Sequence, residues 1–261
     1  MTESVVCRDA TKLFTMRYHR TIKQITIAAL RKQAISESFE AVNDVSFTIE
    51  QGESVGLMGL NGSGKSTLLK LINGVMKPDR GEVLTRGRIA GLIATGAGFH
   101  PQISGRDNVF LNAAILGMSE AETNRKFDQI VEFADIGKFL DTPVGHYSSG
   151  MFARLGFAVA VHTDSDIFLI DEVLAVGDRP FKRKCMARMQ EIRAEGRTMV
   201  YVSHAAGSVK KMCDRVLVLE KGSLGYDGPV DEGIRYLNGD DPEDAKVDEE
   251  TETDEELGAD V

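Results

Sequence analysis

Short runs of apolar residues alternate with helical patterns along this chain. Val55–Met58 precedes a helix predicted over Thr67–Asn73, and further runs follow at Ile167–Ile170, Met199–Val202 and Val216–Leu219. Apolar runs of four or five residues separated by helical spacing predict an α/β core whose sheet is mostly parallel and covered by helices. Between Ser104 and His162 the pattern is almost wholly helical. Ser119 with Glu122 has the form of a capping box, and Phe127, Ile130, Val131 and Ala134 after it keep helical spacing. Residues 104–163 are therefore expected to form a helical subdomain inserted into the α/β core.

Two segments stand outside this alternation. Lys12–Lys32 carries six Lys/Arg and no acid, interleaved with Ile22, Ile25, Ile27 and Leu30. It reads either as a basic amphipathic segment beside anionic lipid or as an ordinary solvated loop and helix. Gly239–Val261 holds twelve Asp/Glu against the single Lys246 and almost no large apolar side chain. Such a segment cannot repay its ordering entropy, and it is expected to be a disordered, solvating tail.

Charge and composition matter only once that tail is set aside. The whole chain of 261 residues has a formal charge of −9. Without the tail, 30 Lys+Arg face 28 Asp+Glu, so the body is about neutral and shows no basic surface of the kind nucleic acid requires. Three widely spaced cysteines, Cys7, Cys185 and Cys213, fit no metal-ligand spacing and suit a reducing compartment. No stretch approaches the roughly 20 apolar residues that span a bilayer, and the N-terminal residues lack a signal-peptide pattern. Action at a membrane is thus expected to run through a partner.

The chemistry lies at the ends of the apolar runs. Gly59, Leu60, Asn61, Gly62, Ser63, Gly64, Lys65 and Ser66 form a phosphate-binding loop, set between a strand and the helix that Thr67 opens. Glycines let the backbone wrap phosphate oxygens, and the helix N-terminus adds positive potential. Lys65 is placed to reach the β- and γ-phosphates, and the Ser66 hydroxyl to take one Mg²⁺ position. The run Ile167–Ile170 ends in Asp171 and Glu172, at the carboxyl edge where α/β sheets present ligands. Asp171 suits Mg²⁺, directly or through water. Glu172 is the candidate to orient or deprotonate an attacking water. His204 follows the strand Thr198–Ser203 and is the candidate to hold the γ-phosphate and that water by hydrogen bonding. A nucleotide-hydrolysing P-loop protein is the expectation.

Tyr147-Ser148-Ser149-Gly150-Met151, just ahead of a predicted helix, resembles the Leu-Ser-Gly-Gly-Gln signature of ABC ATPases. A Ser at a helix N-terminus followed by Gly makes a second phosphate site. The resemblance implies an ABC ATPase fold over residues 1–238: a P-loop NTPase core, an antiparallel β part, the helical signature subdomain, and an insertion at 12–40, with 239–261 as the tail. It implies that Ser148 and Gly150 face the γ-phosphate of ATP held by a second copy of the chain in a head-to-tail dimer. It places Ala175-Val176-Gly177-Asp178 in the D-loop, Asp178 near nucleotide, and His204 in the switch position. Phe14 is the choice for the aromatic stacking on adenine, with Tyr18 the alternative. Two departures are evident: Ser149 and Met151 replace the usual Gly and Gln, and Ala94 or Thr95 stands where a Q-loop Gln is usual.

Gly96-Ala97-Gly98-Phe99-His100-Pro101, His146–Met151 and Asp171–Asp178 together are similar to the ABC ATPases that export polysaccharides such as teichoic acid, O-antigen, capsule and galactan. That likeness implies integral membrane permease partners contacted around Phe99–Arg106, a lipid-linked glycan as transported substrate, no nucleic acid, and a peripheral position on the cytoplasmic face of a bacterial membrane. Some members of that group carry a further carbohydrate-binding domain, and no room for one is expected after Asn238. A soluble clamp acting on nucleic acid or the ribosome is the rival reading; such proteins usually pair two ATPase domains or carry a long coiled coil.

Overall fold

The computed structural model describes residues 2–17, 36–92, 98–171 and 178–239. Tyr18 and most of the basic stretch, Ala94 and Thr95, Glu172 to Gly177, and the acidic tail from Asp240 lie outside the described residues.

Strands β1 (Glu3–Arg17) and β2 (Ser36–Glu50) pair antiparallel, and β4 (Arg80–Thr85) adds to β1, giving a three-stranded sheet ordered β2-β1-β4. A second, six-stranded sheet is ordered β5-β6-β7-β3-β8-β9, from β3 (Ser54–Met58), β5 (Ile89–Leu92), β6 (Ile167–Ile170), β7 (Thr198–Val202), β8 (Arg215–Glu220) and β9 (Ser223–Pro229). Its first five strands run parallel and only β9 is antiparallel. The helices are α1 (Lys65–Ile72), α2 (Gly105–Ile115), α3 (Glu120–Ala134), α4 (Ser149–Val161), α5 (Arg179–Ala194), α6 (Ala206–Met212) and α7 (Val230–Asn238).

The parallel strands are apolar along their middles, with Ser54, Thr198, Arg215 and Glu220 only at strand ends, because both faces are covered. Their alternation sorts side chains between two cores. Val55, Leu57, Ile167, Leu169, Val200 and Val202 face the core shared with the antiparallel sheet and α1. Phe168, Ile170, Met199 and Tyr201 face the core shared with the helical subdomain and α5.

Helices α2 to α4 follow one another between β5 and β6. Ile130 and Ala134 of α3 are fully buried. The capping box is half formed: Ser119 Oγ accepts from the Glu122 N–H at 3.2 Å, but the Glu122 carboxylate turns away. It accepts from Arg88 Nη1 at 3.1 Å instead and is nearly buried, an ion pair between the residue ahead of β5 and the subdomain. The pull of a guanidinium, worth more than one further backbone N–H, explains the diversion.

The expected insertion at 12–40 differs at both ends. Residues 12–17 continue β1 and residues 36–40 belong to β2, with Phe14 paired opposite Phe39. The Lys12 ammonium bonds the Lys77 carbonyl and Asp79, so its charge is engaged within the fold.

Candidate functional site

Three parallel strands end side by side: β6, β7 and β3 are neighbours in that order, and their C-terminal ends open on one edge. Beyond β3 the chain turns through Gly59–Gly64 into α1. This turn admits no other residue at Gly64, whose φ is +106° and where a Cβ would lie 2.2 Å from the Ala41 carbonyl oxygen of β2. At Gly59 (φ +137°) a Cβ would meet the Leu219 carbonyl at the same distance. The loop is thus wedged between the two sheets.

Helix α1 starts at Lys65 with no side-chain cap. By contrast, α2, α3, α4 and α5 are capped by Ser104, Ser119, Ser148 and Asp178. The first helical bond of α1 runs from the Leu68 N–H to the Gly64 carbonyl, so the amides before it are left for something other than the helix. An uncapped N-terminus behind a glycine loop is an anion site. Lys65, almost fully buried, donates to the Gly59 and Leu60 carbonyls at 2.6 and 3.0 Å, which holds its ammonium over the loop. Ser63 Oγ is buried and makes no hydrogen bond among the described residues, a polar atom that suits a bound phosphate oxygen.

A cavity of about 340 Å³ collects most of the expected residues: Phe14, Asn61, Gly62, Ser63, Gly64, Lys65, Ser66, Thr67, Asp171 and His204. Phe39, Ala41 and Val202 also line it. Ser66 and Asp171 bring a hydroxyl and a carboxylate into one space, hard oxygen donors of the kind Mg²⁺ takes, with phosphate and water to complete its shell. Asp171 follows β6, and His204, exposed, follows β7 by two residues. Glu172 lies outside the described residues.

The remaining candidates stand elsewhere. Leu60 points away from the cavity, 74% exposed, in a depression with Leu219, Glu220, Lys221 and Leu237. The expected role of Leu60 therefore rests on its backbone N–H, not its side chain, while its carbonyl accepts from Lys65. Ser148, Gly150 and Asp178 do not line the cavity. Ser148 caps α4, its Oγ accepting from the Met151 N–H at 3.1 Å, and both Ser148 and Ser149 are exposed. The Asp178 carboxylate accepts from the Phe181 N–H at 3.2 Å and from Arg154 Nη2 at 2.8 Å, so it caps α5 and ties that helix to α4.

Phe39 was not legible as a cavity residue from its own neighbourhood. It comes to Phe14 through strand pairing across the hairpin, which no local spacing encodes.

The model of the family described as ABC transporter matches residues 42–175, half of the chain and the stretch that contains the phosphate loop, Ser148 and Asp171. The chain is 50% identical over 196 residues to the ABC transporter protein AbcA of Aeromonas salmonicida, covering 75% of this chain and 64% of that protein. It is 47% identical over 184 residues to the O-antigen export system ATP-binding protein RfbB of Klebsiella pneumoniae, covering 70% of this chain and 75% of that one. It is 44% identical over 209 residues to the teichoic acids export ATP-binding protein TagH of Listeria monocytogenes, covering 77% and 62%. The chain spans somewhat less than two thirds of AbcA and about half, 52%, of RfbB from Myxococcus xanthus. Among solved structures, the ATP-binding subunit of an ABC transporter matches with a TM-score of 0.71 at 24% identity, over 90% of this chain and 93% of that one. An ATP-binding cassette solved as a dimer with ADP and Pi matches with a TM-score of 0.68 at 22% identity, over 87% and 98%. These two likenesses carry the fold, and the family model that matches half of the chain carries the membership: this chain belongs to the ABC transporter family.

Proposed function

We propose that the chain is the ATP-binding and ATP-hydrolysing subunit of a transporter that exports a polysaccharide or lipid-linked glycan, seated peripherally on the cytoplasmic face of the membrane against integral permease subunits. The observation that carries the reading is the gathering of Lys65, Ser66, Asp171 and His204 around one cavity while Ser148, the second phosphate-binding candidate, stands outside it. A split of that kind leaves each chain with two half-sites, and the site is completed by a second copy set head to tail. The relatives named for O-antigen and teichoic acid export, at 44–47% identity, favour a glycan as the transported substrate.

The residues divide the work by position. Loop amides and Lys65 bind the β- and γ-phosphates. Ser66 and Asp171 would hold Mg²⁺, which would supply positive charge beside the phosphates. Glu172, next after Asp171, orients or deprotonates the attacking water, and His204 fixes the water and the γ-phosphate. Ser148 and Gly150 of the second copy close on the same phosphate, so ATP binding favours the closed dimer and phosphate release opens it. Among the described residues no helix is long and apolar enough to cross a membrane.

Reconstitution tests the whole reading. Reconstituted with its permease in proteoliposomes, the chain is expected to hydrolyse ATP faster when the lipid-linked glycan is supplied; without the permease, the ATPase rate of the isolated chain is expected to rise as the square of its concentration at low concentration. Full-speed hydrolysis by a monomer overturns the shared-site mechanism, and indifference to every glycan tested overturns the assignment of substrate class.

A further inference from the structure

Asn108, the fourth residue of α2, is a polar side chain with no exposed surface, and it does not line the nucleotide cavity. Its amide is spent on one turn of the chain. Oδ1 accepts from the His100 N–H at 2.7 Å, and Nδ2 donates to the carbonyls of His100, Ile103 and Ser104 at 3.1, 3.2 and 2.9 Å. A buried amide matched in this way is costly to disturb, because no water stands by to replace a lost partner.

The turn held by Asn108 carries a second set of bonds. The Pro101 carbonyl accepts from the Gly145 N–H at 2.9 Å, the Ile103 carbonyl accepts from the Val144 N–H at 3.1 Å, and the Gly105 N–H donates to the Thr142 carbonyl at 3.1 Å. The Ile103 oxygen thus takes one N–H from Asn108 and another from Val144. Contact is close: a Cβ at Gly145 would lie 2.8 Å from the Pro101 oxygen. Val144–His146 form a single 3₁₀ turn, and the Tyr147 N–H closes it on the Val144 carbonyl at 3.0 Å. The Tyr147 hydroxyl donates to the Phe139 carbonyl at 2.7 Å. The next residue is Ser148.

Helix α4 does not place Ser148 alone. Its buried residues begin at Ala153, and Ser148 and Ser149 are exposed, so the first turn is gripped from the segment that leads into it. We infer that Asn108 is a positioning residue for Ser148: it shapes the His100–Ser104 turn on which residues 142–147 are laid, and so sets where the start of α4 presents its phosphate-binding hydroxyl to the second copy. The links between that turn and the 142–147 segment are backbone bonds, and the Asn108 amide is the side chain that fixes the turn from within. This deepens the shared-site reading of Ser148 and rests on it.

In the 261-residue chain, Asn108→Ala removes the amide and leaves the turn unsupported. Turnover is expected to fall by about ten to a hundredfold, the order of effect of a displacement near 1 Å at a reacting group. ATP affinity of the isolated chain should stay within about twofold, as for a substitution remote from the cavity. In a Glu172→Gln background the same substitution should raise the ATP concentration needed to accumulate dimer. Gly145→Ala approaches from the other side and covers the case in which Asn108→Ala does not fold: the position is exposed, its φ is not left-handed, and the added methyl presses on the Pro101 oxygen. It should give the same split between affinity and turnover, and the two substitutions together should cost clearly less than the product of their separate effects, since both break one path. Full turnover in both variants, or a parallel loss of affinity and turnover in both, overturns the inference. Ser148→Ala separates this from the underlying reading: if that variant keeps full turnover, the shared site itself is wrong.

Discussion

Arg154 Nη2 donates to the Asp178 carboxylate at 2.8 Å, joining the helix that Ser148 starts to the N-cap of the helix that follows the segment after Asp171. Arg154 also lies over the Phe181 ring, 4.8 Å from its centroid. Asp178 thus serves two helices at once. Replacing it with Ala removes an N-cap acceptor and a charge partner, and is expected to cost about 1–2 kcal/mol in urea unfolding, most of it from the cap. Asp178→Asn keeps the cap oxygen and should cost clearly less; equal losses for the two variants would show that the charge, not the cap, matters.

Gly64 tolerates no side chain. With φ at +106° and a Cβ 2.2 Å from the Ala41 oxygen, Gly64→Ala has to displace either the loop or β2. The expected result is a loss of at least about 1–3 kcal/mol of stability together with loss of ATP binding in calorimetry. Gly62, where a Cβ meets nothing within 4 Å, provides the comparison. Gly62→Ala should be the milder of the two for folding, although its φ of +81° still carries some strain.

Ser148 and Glu172 probe the dimer from opposite sides. Ser148→Ala should cost about 1 kcal/mol of cap energy and leave ATP affinity of the isolated chain unchanged, while turnover falls sharply. Glu172→Gln should retain ATP, accumulate a dimer in size-exclusion chromatography, and slow turnover by about 10²–10⁴, the usual worth of a general base. Undiminished turnover in that variant removes Glu172 from the mechanism.

The cysteines yield a pH prediction. Burial pushes the Cys7, Cys185 and Cys213 thiols up to about 12. An exposed thiol ionises near 8.5, so between about pH 8.5 and 12 the unfolded chain holds fewer protons than the folded one. Stability is expected to be fully retained by these groups below about pH 8.5 and to decline as pH rises toward 12. At pH 8 a disulfide-exchange reagent should leave the folded chain unlabelled and titrate three thiols per chain in denaturant.

Legibility from sequence followed locality. The phosphate loop, Asp171 and the Ser148 cap are each contiguous signals, and the structure places each at the element boundary its neighbours imply. Helix α1 begins at Lys65, two residues ahead of the expected start, because the loop closes directly into it and the helical pattern only becomes apolar at Leu68. The β1–β2 hairpin was obscured because Lys12, Arg17 and their neighbours read as a basic insertion, whereas pairing with residues 36–42 makes strand of both flanks. Glu122 has the spacing of a capping box, and only the arrival of Arg88 from 34 positions away turns it aside. Phe39, by the same logic, belongs to the class of residue that pairing reveals and spacing conceals.

The order β6-β7-β3 has a consequence for how this protein can be broken or dissected. Adjacent strands lie about 4.8 Å apart, so Asp171 and the phosphate loop owe their separation of roughly 10 Å to the single strand between them. That strand, β7, is drawn from sequence beyond both motifs. A fragment ending before Thr198 would keep every phosphate-loop residue and Asp171 and still have no reason to bring them to the right spacing. Nucleotide affinity should therefore appear and vanish with the whole sheet, which makes ATP-induced thermal stabilisation a measure of global integrity in any variant of the chain.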